Sequence, residues 1–234
     1  VQIMEPLFGF FGEDTYYFLE NGGKIIARTF LRNPAVGNRR TLILTTTWGI
    51  GGCLLRGGRV LNGKNSLIGE VGHMIIDRTD TERCKCGSCG CLERMVDIRR
   101  IRKDLKENPP AEGSLIAGVP AEKITMRDLF SMADREDERA RAYVAYLAEC
   151  FATALRNISL VFDPELVFFI GEYAYAGDWF DQCLKQKLRE FRYYIDGDPF
   201  EVIYEKKAML EMDYEGAAVA VTDHFFNNLE LYED

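Results

Sequence analysis

The 234-residue chain carries 29 Lys and Arg against 37 Asp and Glu, a net charge near −8, and is 47% apolar and 28% charged. This balance belongs to a globular chain and excludes disorder and fibrous repeats, and its acidity argues against a nucleic-acid-binding surface. The longest apolar runs, 42–44 and 166–170, are too short to cross a bilayer, and the first residues lack a basic signal region, so a cytoplasmic protein without membrane attachment is expected.

In chain order, residues 12–21 read as a short strand centred on Tyr16-Tyr17-Phe18-Leu19, running into the loop Glu20-Asn21-Gly22-Gly23. A helix is predicted over 24–31, ended by Asn33-Pro34. Residues 41–46, TLILTT, form a strand that enters a glycine-rich turn at 49–52. Gly57-Gly58 between two short apolar runs is a two-residue hairpin signal. Residues 92–106 read as one helix ended by Pro109-Pro110, and its cations Arg99, Arg100, Arg102, Lys103 and Lys106 alternate with Asp97, Asp104 and Glu107 as on a solvated face. Thr125 and Asp128 have the spacing of a capping box that opens a short helix through Met132.

From 136 to 161 apolar residues recur at three and four, which predicts a long amphipathic helix. The run Leu166-Val167-Phe168-Phe169-Ile170 predicts a strand buried on both faces. A helix over 179–191, a strand at 202–204 and a last helix over 216–226 complete an α/β alternation, a sheet with helical cover. An α/β domain rarely opens on one strand, a short helix and a glycine loop, and Val1 is not Met, so a preceding segment is expected.

Seven Cys are unevenly spread: Cys53, Cys150 and Cys183 stand alone in apolar contexts as core thiols, while Cys84, Cys86, Cys89 and Cys91 crowd into eight residues. Short offsets of this kind, with His73 upstream, let one turn of chain surround a tetrahedral Zn2+. Gly87 and Gly90 permit the tight backbone this needs. Four of the five candidates suffice, and spacing alone does not say which Cys is surplus.

Gly69-Glu70-Val71-Gly72-His73 followed by Cys84-x-Cys86-Gly87-x-x-Gly90-Cys91-Leu92-Glu93 resembles the signature of the ROK family of repressors, open reading frames and sugar kinases. The resemblance extends to Leu19-Glu20-Asn21, to the 47–52 loop as a second phosphate loop, to Phe162-Asp163-Pro164-Glu165 and to Gly216-Ala217-Ala218. It implies an actin-like ATPase (ribonuclease H-like) α/β fold, with residues 1–40 a remnant of the N-terminal lobe and 41–234 the C-terminal lobe containing the zinc loop. It further implies His73, Cys84, Cys86 and Cys91 as the zinc ligands, with Cys89 surplus. Asn21, Glu70, His73 and Glu93 are implied as the groups that hold sugar hydroxyls. The chemistry is coherent, since carboxylates accept from vicinal hydroxyls and an imidazole ligated through one nitrogen offers the other.

Three positions depart from the family pattern. Gly22 stands where the kinases carry the Asp that accepts the attacking hydroxyl's proton, an assistance typically worth about 10²- to 10⁴-fold. Trp48 replaces a small hydroxyl residue in the phosphate loop, where its indole is expected to exclude a phosphate, and Glu172 brings a like charge to the adenosine corner. With no catalytic residue assigned, the sequence reads as the C-terminal, sugar-sensing portion of a NagC/XylR-like transcriptional regulator. DNA contact would then run through an upstream domain, and a homodimer or higher assembly is expected from the apolar stripes on 136–161 and 179–191. The alternatives are an ATP-dependent, glucokinase-like sugar kinase and a dimerisation scaffold that binds no ligand.

Overall fold

A computed structural model of the chain describes residues 4–11, 20–191 and 198–227. The strand predicted at 16–19 lies outside the described residues. Helix α1 (Met4–Phe11) precedes α2 (Gly22–Thr29), which starts two residues earlier than expected because Asn21 caps it: its Oδ1 accepts from the Gly23 amide at 2.9 Å. A 3₁₀ turn, Phe30–Arg32, carries the chain to Asn33.

The β-branched and aliphatic run Thr41–Thr46 is β1, and it pairs antiparallel with β2 (Ile50–Arg56), which continues through the Gly57-Gly58 turn into β3 (Arg59–Val60). Both glycines have positive φ, as the two-residue hairpin requires. The glycine-rich turn expected at 49–52 is shorter than that, because Ile50, Gly51 and Gly52 already belong to β2.

The predicted helix over 92–106 is two helices, α3 (Leu92–Met95) and α4 (Ile98–Glu107). The break falls at Val96-Asp97, where the Asp97 carboxylate accepts from the Arg99 amide at 2.8 Å and opens a new helix. The capping box is present: the Thr125 hydroxyl accepts from the Asp128 amide and the Asp128 carboxylate accepts from the Thr125 amide, opening α5 (Met126–Asp134). Asp137 then caps α6 (Glu138–Phe162), the predicted long helix. By length and composition α6 could cross a membrane, yet it is a core helix that buries Val144, Leu147, Phe151 and Leu155.

Strand β4 (Leu166–Gly171) joins β1 in parallel, α7 (Asp178–Arg189) follows, and β5 (Glu201–Glu205) adds in parallel to the far side of β4. The last helix, α8 (Met209–Asn227), begins well before the predicted Gly216. The sheet order β3-β2-β1-β4-β5, an antiparallel meander continued by parallel strands, is the arrangement expected for an actin-like lobe.

Side-chain alternation divides two cores. Leu42, Leu44, Val167 and Phe169 face the layer of α3 to α7, while Ile43, Leu55, Phe168 and Ile170 face α2 and α8. In the first layer Phe130, Phe151, Phe169, Tyr173 and Phe180 meet edge to face with centroids 4.7 to 6.1 Å apart. One expectation changes here. The stripes on α6 and α7 that suggested a subunit interface are spent on each other and on the sheet, with Leu160 and Val161 left exposed. Ile26, Ala27, Phe30 and Val36, from the segment before residue 41, pack in one core with Ile43 and Met212.

Candidate ligand pocket and metal cluster

The pocket is built where the 69–73 segment presses on β2. The Gly52 amide donates to the Gly69 carbonyl at 2.6 Å, and a Cβ at Gly69 or Gly72 would overlap the Gly52 or Ile50 carbonyl, so only glycine lets the segment approach this closely. Glu70 and His73 are thereby fixed at one wall. The opposite wall is the start of α2, and the floor is the end of β1 with the turn to β2.

The cavity, about 240 Å³, is lined by Asn21, Lys24, Thr45, Thr47, Trp48, Ile50, Ser66, Ile68, Glu70, His73, Lys85 and Glu93 and by the glycines between them. All four residues implied as hydroxyl-binding, Asn21, Glu70, His73 and Glu93, therefore meet at one cavity. Glu93 is held from two sides, since Oε2 accepts from the Ile50 amide at 3.0 Å and Oε1 lies 3.2 Å from Lys85 Nζ. The Asn21 side chain is partly committed to its cap. Gly22 is not among the lining residues, and a Cβ there would meet open space. Glu20 turns away to its own neighbourhood, accepting from the Asn21 amide and pairing with Arg28 at 3.4 Å.

His73 joins the pocket to the cysteines. Its Nε2 lies 3.8 Å from Glu70 Oε2 on the pocket side and its Nδ1 lies 3.5 Å from Cys84 Sγ. The ligand atoms of His73, Cys84, Cys86 and Cys91 all lie within 4.8 Å of one another. Cys86 and Cys91 sulfurs are 3.5 Å apart, close to the ~3.8 Å that two ~2.3 Å metal–sulfur bonds subtend at a tetrahedral ion. Cys89 points elsewhere, its Sγ 3.5 Å from the Thr81 carbonyl. Short bridges, Ile75 to Cys91 and Arg83 to Cys89, fold the loop, and Gly90 at φ +73° lies so near the Asp77 carbonyl that no Cβ fits. The cluster fits a metal ion.

Thiol acidities differ inside the cluster. A hydrogen bond from the Ser88 backbone lowers Cys86, whereas burial pushes Cys91 up to about 12. Burial also pushes Cys53 up to about 12 and Cys150 to about 11, so these core thiols stay protonated and inert near neutral pH.

A second cavity of about 370 Å³ lies beyond Trp48, lined by residues 46–50, Glu93, Val96, Asp97, Ile98, Arg99, Arg102, Glu172 and Tyr173. Here the structure corrects two expectations. Trp48 is 99% exposed and stands on the rim between the cavities, so its indole fills neither. Arg99 and Arg102 line the second cavity together with Glu172, so the corner is not uniformly anionic, while Arg99, Lys103 and Lys106 stay exposed as a solvated face requires. Arg99 pairs with Asp97, and Arg102 Nε donates to the Ile124 carbonyl at 2.9 Å. Burial raises the Glu172 carboxyl against the pull of Arg102. Sequence reasoning also passed over Lys24 and Lys85 as pocket residues; the adjacency of Lys85 to Cys84 was a signal that could have found it, whereas Lys24 carried none.

A model of the ROK family matches residues 32–220, most of the chain. The chain belongs to the ROK family. Its ROK relatives carry two kinds of name. A glucokinase of Halalkalibacterium halodurans is 28% identical over 158 residues, covering 66% of this chain and 48% of that one. A xylose repressor of Caldicellulosiruptor bescii is 24% identical over 151 residues, covering 64% and 38%. Among solved structures, a ROK hexokinase from Thermus thermophilus matches with a TM-score of 0.71 at 26% identity, over 90% of this chain and 66% of that one. The chain thus spans about half the length, or less, of the curated ROK relatives it matches, and its fold is the actin-like fold of the family.

Proposed function

We propose that this chain is the sugar-sensing effector portion of a ROK-type transcriptional regulator and has no kinase activity. The observation that carries the reading is the state of the carboxylates around the cavity. Gly22 supplies no base, and Glu20 is turned onto Arg28. Among the described residues the pocket is lined by two carboxylates, Glu70 at 3.8 Å from His73 and Glu93 held by Lys85 and the Ile50 amide, and neither takes the place of a carboxylate at position 22, while Asn21, Glu70, His73 and Glu93 stand as hydrogen-bonding partners for sugar hydroxyls.

Three thiolates and one imidazole are the donor set of a structural zinc, and we assign Zn2+ to His73, Cys84, Cys86 and Cys91. An ion held there would cross-link the loop and orient the His73 ring, whose Nδ1 lies on the cysteine side and whose Nε2 lies at the pocket beside Glu70. Sugar binding would favour one arrangement of the assembled regulator over another, a population shift within a cytoplasmic homodimer or higher oligomer. DNA contact would belong to a part outside this chain, for which the 38% coverage of the xylose repressor leaves room.

The kinase reading has its own support in the second cavity, where Arg99 and Arg102 could meet phosphates next to the 46–50 turn. Calorimetric titration with hexoses together with an ADP-formation assay separates the readings. Sugar binding without ATP turnover is expected; sugar-dependent ADP formation above background would sink the regulator reading, and binding of no sugar would leave a scaffold.

A further inference from the structure

We infer that the pocket selects a monosaccharide bearing an anionic group, a phosphate or a carboxylate, and that Lys24 is the residue that selects it. The inference rests on the sugar-binding reading above. Lys24 sits in the first turn of α2, is only 8% exposed and lines the cavity. Among the described residues no hydrogen bond or ion pair reaches its ammonium.

Among the cavity's other charged groups, Lys85 pairs with Glu93 at 3.2 Å, and Glu70 lies beside His73 at 3.8 Å. Glu20, the nearest acid in sequence, is taken by Arg28 and by the Asn21 amide. Cys53 lies close enough to feel Lys24, but burial holds it as a neutral thiol, so it offers no counter-charge. A cation buried to this degree without a partner is costly, and the peptide dipoles at the start of α2 add positive potential of the same sign.

Hydroxyl groups alone do not balance this charge. A neutral hexose is served by acceptors such as Glu70 and Glu93, whereas Lys24 is a donor only and, unlike them, is matched by an anion. At about 240 Å³ the cavity is smaller than the sites that hold drug-sized ligands, which suits one sugar ring with a single charged substituent.

The test is calorimetric titration of the chain with glucose, glucose 6-phosphate, glucuronate and inorganic phosphate, repeated on Lys24→Met, Lys24→Gln and Lys24→Arg. The expected result is a preference of about tenfold or more for one charged sugar over glucose, the scale of a hydrogen bond to a charged group. That ratio should fall to about one in Lys24→Met and Lys24→Gln and survive in Lys24→Arg, with the melting temperature of each variant confirming its fold. Which charged sugar wins tells phosphate from carboxylate. Glucose binding as tightly as both charged sugars, a ratio unmoved by either neutral variant, or inorganic phosphate alone matching glucose 6-phosphate would each overturn the inference while leaving sugar sensing standing. Binding of none of the sugars would overturn both.

Discussion

Replacing Cys91 by Ser tests the metal cluster and its coupling to the fold. Cys91 is a ligand in the proposed set, is bridged to Ile75 and stands at the N-cap of α3. Immediately after it, Leu92 and Met95 are 1% and 2% exposed in the larger core. A metal that is lost from a small finger takes the whole fold with it, but here the five-stranded sheet persists and only the loop and α3 are released. Exposing Leu92 and Met95 costs about 1.5–3 kcal/mol each, so Cys91→Ser should lose about 3–6 kcal/mol. At about 2–4 °C per kcal/mol for a chain of this size, that is a drop of roughly 6–24 °C in melting temperature. Cys89→Ser, whose sulfur touches only the Thr81 carbonyl, should stay within about 0.5 kcal/mol of the parent and keep one metal per chain. Scanning calorimetry with elemental analysis on both variants, with and without a chelator, reads all of this. If Cys89→Ser loses the metal while Cys91→Ser keeps it, or if a chelator shifts the parent no further than Cys91→Ser, the ligand set is wrong.

Gly22→Asp places a carboxylate in open space at the first position of α2, so it should fold and gain about 0.3–1 kcal/mol from the helix dipole, seen as a small rise in melting temperature, while a coupled assay shows no sugar-dependent ATP turnover. Robust turnover from this one change would mean that the base was the whole defect. Burial works to raise the Asp137 carboxyl, but donors from Ala140, Ser114 and Leu115 prevail and hold it below the usual carboxylate range. A depressed folded-state value means that its contribution is complete above about pH 5 and is lost as pH falls through that lower value. Asp137→Asn should flatten this acid limb of a stability-versus-pH curve, and Asp137→Ala should cost about 0.5–2 kcal/mol at neutral pH, measured by urea unfolding. Trp48→Ala removes a fully exposed indole and should leave urea unfolding within about 0.5 kcal/mol of the parent; a larger loss would show that the ring is packed.

What could be read from the sequence was what local chemistry decides alone. The 166–170 run has no polar position to turn outward, the Thr125 and Asp128 spacing admits one reciprocal cap, and Gly57-Gly58 admits one tight turn. The metal loop was legible for the same reason, its donors lying within twenty residues of one another. Errors arose where distant groups decide. The basic pattern of 98–107 looks the same with or without a break, and only the Asp97 cap, which competes with helix continuation, sets α4 apart. Whether Trp48 fills a cavity or stands on its rim depends on the wall that Glu93 and α4 provide, far along the chain. Lys24 was invisible because a lysine in a first helical turn is ordinarily solvated, and it is the 69–73 segment and β1 that enclose it.

The central strand pair carries a consequence for synthesis. Strand β1 bonds on one side to β2, which follows at once, and on the other to β4, with Leu42 opposite Val167 about half the chain later. While the ribosome makes the intervening metal loop and α3 to α6, the apolar face of β1 and its unpaired edge have no lasting cover. Domains close sheets of this kind only when the later strand emerges, and an open strand edge is a template for any other chain nearby. The meander β1-β2-β3 can form early, but it is β4 that closes the second edge of β1, so a nascent chain that ends before Gly171 keeps part of that edge unpaired.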